Sequence, residues 1–290
     1  MTVTQNPQNN SLIYFMKIYI PTFMREDKQK CFNNLPVEIQ KMVTLVTHDG
    51  RADILRKHNP TANVIDLGTA DGIADVRQKI LNQSPDDHVM FIDDQCRFKK
   101  RNSSMKYDKM TPDQFVEMFE LVERNLSEYA MVGICDRAGN NRYLQDTRSS
   151  MRMYSVYAIN RNAWRENGIS FDGLYQKNNE IKLYEDFYAV LSMLTRGLPN
   201  LMLCNYIFEA EHGIKGGCST VRNNELQKKC IEALISEFPD FVKMTRVENA
   251  SWSTDSHRGG DRWEARVKWK EAFNSSQKET TSSVLDDFFS

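Results

Sequence analysis

An alternation across the first hundred residues constrains this chain more than any single motif. Short apolar runs at Lys17–Ile20, Val43–Val46, Val64–Leu67 and Val89–Ile92 are separated by helix-like stretches at 27–40, 50–58 and 71–83. Strands spaced by helices of about a dozen residues build a parallel sheet with right-handed crossovers, since a tight turn cannot return a chain to a parallel neighbour. The pattern predicts a Rossmann-like α/β sheet flanked by helices. At 290 residues and 40% hydrophobic composition, the chain has the apolar side chains for a full core.

Further elements follow the same rules. Thr111-Pro112 opens an amphipathic helix over Asp113–Asn125, with Phe115, Met118, Phe119 and Val122 on one face. Strands are expected at Ala130–Ile134 and over 151–160, and helices at Glu185–Thr195 and 223–237. The boundaries read as a polar, Asn/Gln-rich arm (1–11), a nucleotide-binding domain (12–215), a C-terminal helix with a basic, Trp-bearing extension packed on it (216–273), and a disordered Ser/Thr/Lys/Glu tail (274–290). The net charge of −1 excludes a global field that would draw the chain to nucleic acid or membrane, so such contacts need a local patch. Six scattered cysteines show no CxxC pair and no zinc spacing, which suits a reduced, intracellular protein. No basic-then-apolar leader and no apolar run of about 18 residues is present, so a cytoplasmic, unanchored protein is expected.

The strand at Val89–Ile92 stops abruptly on Asp93-Asp94. Open α/β sheets place ligand crevices at the carboxyl ends of their strands, and two hard oxygen donors there suit Mg²⁺ or Mn²⁺; the other reading is a solvated Asp turn. The first strand ends in Pro21-Thr22 with Arg25 nearby, a place for a base or phosphate or simply a strand end. The second ends in Thr47-His48-Asp49-Gly50, where Asp49 suits a base N–H or a ribose hydroxyl, or a plain Asp-Gly turn. Gly68-Thr-Ala-Asp71-Gly72 precedes a helix carrying Arg77, with Asp71 either an N-cap or part of a phosphate site. Glu185-Asp186 opens another helix, as a cap or as a general base. His212 lies beside Gly213 and Lys215-Gly216-Gly217, as a metal or phosphate ligand or a structural histidine.

This order, Pro-Thr, Asp, Arg, Asp-Asp, Glu-Asp and His, resembles the GT-A glycosyltransferases over residues 16 to about 215. The resemblance implies one domain that binds a nucleotide-diphospho-sugar through an Asp-x-Asp motif and a divalent ion, Mg²⁺ or Mn²⁺. It implies a UDP-sugar held by Thr22, Arg25, Asp49, Asp71, Arg77 and Asp93. Asp94 and His212 are then the metal ligands, and Asp94 and Asp186 the catalytic groups, Asp186 as the base of an inverting enzyme. One departure stands out, because Gln95 occupies the place of a third acid found in many relatives.

Three features lean toward DNA as acceptor. Lys99, Lys100 and Arg101 lie in a basic Ser/Asn-containing segment read as a loop, suited to phosphates or to solvent. Arg258, Arg262, Trp263 and Arg266 interleave cations with a ring, suited to a flipped base or to a Trp-anchored terminal strand, and the segment resembles C-terminal parts of phage glycosyltransferases acting on hypermodified bases. The ending Val284-Leu285-Asp286-Asp287-Phe288-Phe289-Ser290 resembles peptides by which T-even-type phage proteins dock on a sliding clamp, with Leu285, Phe288 and Phe289 as anchors. Together the resemblances imply sugar transfer to a hydroxymethylated pyrimidine, foremost 5-hydroxymethylcytosine, in the host cytoplasm. Two competing readings are a GT-A enzyme acting on a surface glycan and a non-catalytic DNA- or clamp-binding protein.

Overall fold

The computed structural model describes residues 16–140, 144–210, 216–217, 222–250 and 260–277. In chain order its elements are β1 (Met16–Pro21), α1 (Lys30–Asn34), α2 (Val37–Gln40), β2 (Val43–Thr47), α3 (Ala52–His58), β3 (Asn63–Asp66), α4 (Ile73–Gln83), β4 (His88–Ile92), β5 (Arg97–Arg101), β6 (Tyr107–Lys109), α5 (Pro112–Asn125) and β7 (Met131–Asp136). They continue with α6 (Arg137–Asn140), β8 (Thr147–Ser149), β9 (Val156–Asn160), α7 (Arg161–Glu166), α8 (Gly173–Lys177), α9 (Glu185–Leu194), β10 (Asn200–Glu209), α10 (Asn224–Glu237), β11 (Val242–Ala250) and β12 (Gly260–Val267). Residues 269–277 are helical.

The main sheet has the order β3-β2-β1-β4-β9-β7-β10-β5-β6, with β8 also pairing β10. β3, β2, β1 and β4 are mutually parallel; β9 runs against β4 and β7, so β7 and its parallel neighbour β10 share the direction of the first four. Their carboxyl ends therefore gather along one rim. β4 is central: Val89, Met90, Phe91 and Ile92 are fully buried, Val89 and Phe91 facing one apolar cluster and Met90 and Ile92 the other. Two-sided burial explains why this strand reads as an unbroken apolar run rather than an alternating one. One cluster packs α5 through Phe115, Met118, Phe119 and Val122, and the other packs α4 and α9. Each such side chain contributes roughly 1.5–3 kcal/mol by leaving water.

The α/β layering expected from the alternation is borne out, with four local differences. The stretch 27–40 is split into α1 and α2, because Leu35-Pro36 cannot continue a helix. Only Val156–Asn160 of 151–160 is a strand; Ser150 and Ser155 adopt left-handed backbone at φ 54° and 57°, and the chain between them leaves the ladder. The basic segment 97–109 is a hairpin, β5 paired antiparallel with β6 and β5 with β10, rather than a loop. Helix persists to residue 277, past the expected start of a disordered tail, and Ser276 is buried against Leu194. The helix expected after Thr111-Pro112 starts with a capping box, Thr111 Oγ1 accepting from the Gln114 amide and the Gln114 side chain accepting from the Thr111 amide. No helix among the described residues is long and apolar enough to cross a membrane.

Candidate active site

The doublet sits where the sheet rim opens. Asp93 keeps its backbone tied to Ser155 of the neighbouring chain segment (N to O 2.8 Å), and its side chain is 40% exposed. Asp94 turns the other way and is 5% exposed. Its Oδ1 accepts from Arg25 Nη1 at 3.1 Å and its Oδ2 from Thr22 Oγ1 at 3.2 Å; Gln29 Nε2 in turn donates to Thr22 Oγ1 at 2.7 Å. Burial pushes the Asp94 carboxyl up to about 6, with Arg25 opposing the rise and Asp93 adding to it. Gln95, in the place of a third acid, is buried and donates to the Lys28 carbonyl at 3.0 Å, so it braces the turn below the rim.

Arg77 joins the doublet to the second acidic pair. Only 5% exposed at its side chain, it donates to Asp93 Oδ1 at 3.1 Å and to Glu185 Oε1 at 2.5 Å, with Tyr157 and Phe171 rings at 5.5 and 5.8 Å. Burial pushes the Glu185 carboxyl above the usual range, against the pull of Arg77. Glu185 and Asp186 occupy the first turn of α9, where the positive helix end favours carboxylates. The residue before them, Tyr184, is left-handed at φ 68°, a conformation costing on the order of 1–3 kcal/mol in a non-glycine residue. It is held by Gln227 Nε2 donating to its hydroxyl at 3.0 Å and by the Phe187 ring at 4.9 Å. Asp186 makes no cap bond. Instead its Oδ2 accepts from Arg152 Nη2 at 3.0 Å, and that guanidinium lies 4.2 Å from both the Tyr154 and Phe187 ring centres.

The remaining sequence candidates distribute as follows. Asp49, left-handed at φ 58°, sits at the end of β2 and contacts His48 Nδ1 at 2.9 Å; the His48 ring stacks on Phe23 at 4.2 Å and 9°. Thr22, Arg25 and Asp49 thus come from the adjacent ends of β1 and β2. Asp71 does not cap α4, since Gly72 holds that position; Lys182 Nζ (2.5 Å) and the Tyr175 hydroxyl (3.0 Å) engage it, and Lys182 holds its carboxyl below the usual range. Asp71 therefore fastens the α4 entry to the 175–182 segment. Arg77 is buried between carboxylates rather than facing the rim. His212 lies outside the described residues, yet Gly216, four positions on, accepts from Arg25 Nη2 at 2.8 Å, and Gly217 N donates to Phe23 O at 2.9 Å. A Cβ at Gly216 would fall 2.8 Å from Met24 O, so only glycine lets this segment lie against the end of β1.

Lys99 pairs with Glu209 at 2.8 Å, Lys100 with Glu117 at 2.6 Å, and Arg101 donates to the Tyr107 hydroxyl at 3.1 Å. Arg262 and Arg266 both meet Glu264, and Trp263 is partly buried in β12 with Lys228 over its ring. Arg258, Leu285, Phe288 and Phe289 lie outside the described residues. Sequence reasoning misses Arg152, Tyr154, Phe23, Glu26 and Gln29. Arg152 and Tyr154 carry an alternating pattern that reads as strand, and the left-handed serines that break it leave no glycine signal.

Among the described residues no three His, Cys, Asp or Glu side chains converge as a metal cage. Of the acids gathered around Arg77, Asp93 presents the most exposed carboxylate at the rim, which fits a hard cation that completes its shell with diphosphate and water oxygens.

A family model described as TAGT, TET-associated glycosyltransferase, matches residues 16–216. The chain belongs to this family. It is therefore a glycosyltransferase, and the non-catalytic reading is set aside. It is 23% identical over 261 residues to the beta-glucosyl-HMC-alpha-glucosyl-transferases of Enterobacteria phages T6 and T2, covering 83% of this chain and 85% of each relative. Among solved structures, glucosyl-3-phosphoglycerate synthase from Mycobacterium tuberculosis in complex with Mg²⁺ and UDP superposes with a TM-score of 0.50 at 10% identity, over 88% of this chain and 90% of that one. The enzyme's GT-A arrangement, expected from the order of its motifs, is borne out.

Proposed function

We propose that the enzyme transfers a sugar from a UDP-sugar to the hydroxymethyl group of a modified pyrimidine in DNA, foremost 5-hydroxymethylcytosine, in the cytoplasm of a phage-infected cell. The observation that carries this reading is the single guanidinium of Arg77, which binds Asp93 and Glu185 together and so joins the acid doublet and the α9 acid pair into one site. The names of the phage relatives support HMC as the base that carries the accepting hydroxyl.

In this reading Thr22, Arg25 and Asp49 hold the nucleotide at the ends of β1 and β2. Asp93 would hold Mg²⁺ or Mn²⁺, which when bound neutralises charge on the departing diphosphate. Asp94, with both oxygens engaged, positions Arg25 rather than binding the ion. Asp186 removes the proton from the hydroxymethyl oxygen as that oxygen attacks the anomeric carbon, and the UDP–sugar bond breaks on the opposite face, giving inversion. The base must leave the duplex for its hydroxyl to come into line. The tail anchors Leu285, Phe288 and Phe289 tether the enzyme to a sliding clamp, raising its local concentration on DNA.

A second reading is favoured by the acceptor in the relatives' name, beta-glucosyl-HMC, and by the alpha-glucosyl group they transfer. Here the attacking hydroxyl belongs to a sugar already on the base, and transfer from an α-linked donor retains configuration, leaving Asp186 without a basic role. One experiment separates them. The enzyme is incubated with UDP-sugars and duplexes carrying hydroxymethylcytosine, hydroxymethyluracil or β-glucosylated hydroxymethylcytosine, and the nucleosides are analysed by mass spectrometry and NMR. A β-linked sugar on the hydroxymethyl group, its formation slowed by roughly 10²–10⁴-fold in Asp186→Asn, is the expected result. An α-linked disaccharide establishes the second reading, and no mass shift on any DNA overturns both in favour of a glycan acceptor.

A further inference from the structure

A DNA acceptor requires a local cationic surface, because the chain's net charge of −1 supplies no long-range pull. The hairpin β5–β6 does not provide it, since Lys99 and Lys100 are turned onto Glu209 and Glu117 and hold those carboxyls below their usual range, in Glu209 against the effect of burial. In the strand pair β11–β12 the arginines are likewise engaged, Arg246 by Asp261 and Arg262 and Arg266 by the shared Glu264.

A different surface is built otherwise. Two adjoining clefts of about 310 and 270 Å³ share Arg148 and Lys270 as lining residues. The first adds the hydroxyl-bearing Tyr129, Thr147 and Ser149 and has no carboxylate among its described lining residues. The second adds Lys268 and Trp269, and Glu271, the one acid among its described lining residues, is paired with Lys268 at 2.7 Å. Lys270 is exposed and makes no ion pair among the described residues. Cations from β8 and from the start of the C-terminal helical segment therefore converge with neutral hydrogen-bonding groups, a donor set that suits phosphate oxygens.

The groove also has a direction. It starts beside the amino ends of β7 and β10, at Tyr129 and Leu201, and passes Ser150 and Met151, which lead directly into Arg152. At its other end the Trp269 ring lies 5.3 Å from Phe187, the residue after Asp186. We infer that this groove binds the phosphodiester backbone of the acceptor DNA, with Arg148 and Lys270 contacting phosphates and Trp269 marking where the strand turns toward Asp186. The inference rests on the reading of DNA as acceptor.

The test uses the full-length enzyme and a fluorescently labelled hydroxymethylcytosine duplex, with affinity measured by anisotropy at several salt concentrations. Each lost phosphate contact lowers the slope of log K against log salt by about 0.9, so Arg148→Gln/Lys270→Gln should lower it by roughly 2 and raise KM for DNA. Lys57→Gln, exposed on α3 beside the opposite sheet edge, should leave the slope as it is. Circular dichroism checks that the double variant is folded. A folded double variant with the wild-type slope and affinity overturns the groove. Sugar transfer by the wild-type enzyme to the same duplex is scored separately, so an enzyme that glycosylates DNA yet shows no change in slope sinks the groove and spares the function.

Discussion

The two halves of the rim hold their charges in different ways. On the β1–β4 side, acids and cations are interlocked below the surface: Asp94 takes Arg25 and Thr22, and Arg77 spans Asp93 and Glu185 with its side chain 5% exposed. On the β7–β10 side the cation meets solvent and the acid is buried, Asp186 being 12% exposed at its side chain, the reverse of Arg77 and the 40% exposed Asp93. Arg152, 41% exposed, reaches Asp186 from between two rings, and Asp136 at the end of β7 accepts from the Tyr154 hydroxyl at 2.5 Å. The first half is a cradle at the ends of parallel strands, with left-handed Met24 and Asp49 in its turns, and the second takes its side chains from segments turned by left-handed Ser150, Ser155 and Tyr184.

The largest effect should come from breaking the cradle. Arg77→Met leaves Asp93 and Glu185 facing each other without their shared cation, and the loss should reach about 3–5 kcal/mol in urea unfolding. A midpoint equal to wild type would mean that the buried network is not what stiffens the donor half.

Asp94 gives a subtler test of the same half. An ordinary aspartate ionises near 3.8 and Asp94 in the folded chain at about 6, so the native state holds the proton more tightly and stability falls as pH rises between those values. The fall should approach about 3 kcal/mol once both states are ionised. In metal-free buffer, Asp94→Asn should flatten that part of the stability-versus-pH curve; a variant curve parallel to wild type would contradict the burial of this group. The smallest effect belongs to the exposed hairpin. Lys99→Gln/Lys100→Gln should melt within about 1 kcal/mol per pair of wild type, because partly exposed ion pairs contribute little. A larger drop would show that β5–β6 is held by its charges rather than by its pairing with β10.

Legibility follows the range of the interactions involved. The capping box at Thr111–Gln114 and the helix start at Asn223 involve neighbours three residues apart, and both are readable from the residues. Asp93, Asp94 and Asp186 are visible as acids at the ends of apolar runs or the start of a helix, since the residue that ends a buried strand must re-enter water or a site. Arg152 is not, because its segment alternates like a strand and departs from one only through serines with positive φ. The basic segment 97–109 reads as a loop for a related reason: its partner strand, β10, lies about a hundred residues away, and its cations conceal a half-buried hairpin.

The order of strands and helices, the two-sided burial of β4 and the presence of acids at the rim follow from the residues alone, because periodicity and capping are local. Which cation serves which acid is set only once the chain has folded. Arg25 meets Asp94 across 69 residues and Arg77 meets Glu185 across 108, while Lys99 is committed to Glu209 across 110. An ionic group buried away from water must find a partner wherever the fold brings one, and no spacing along the chain records that choice.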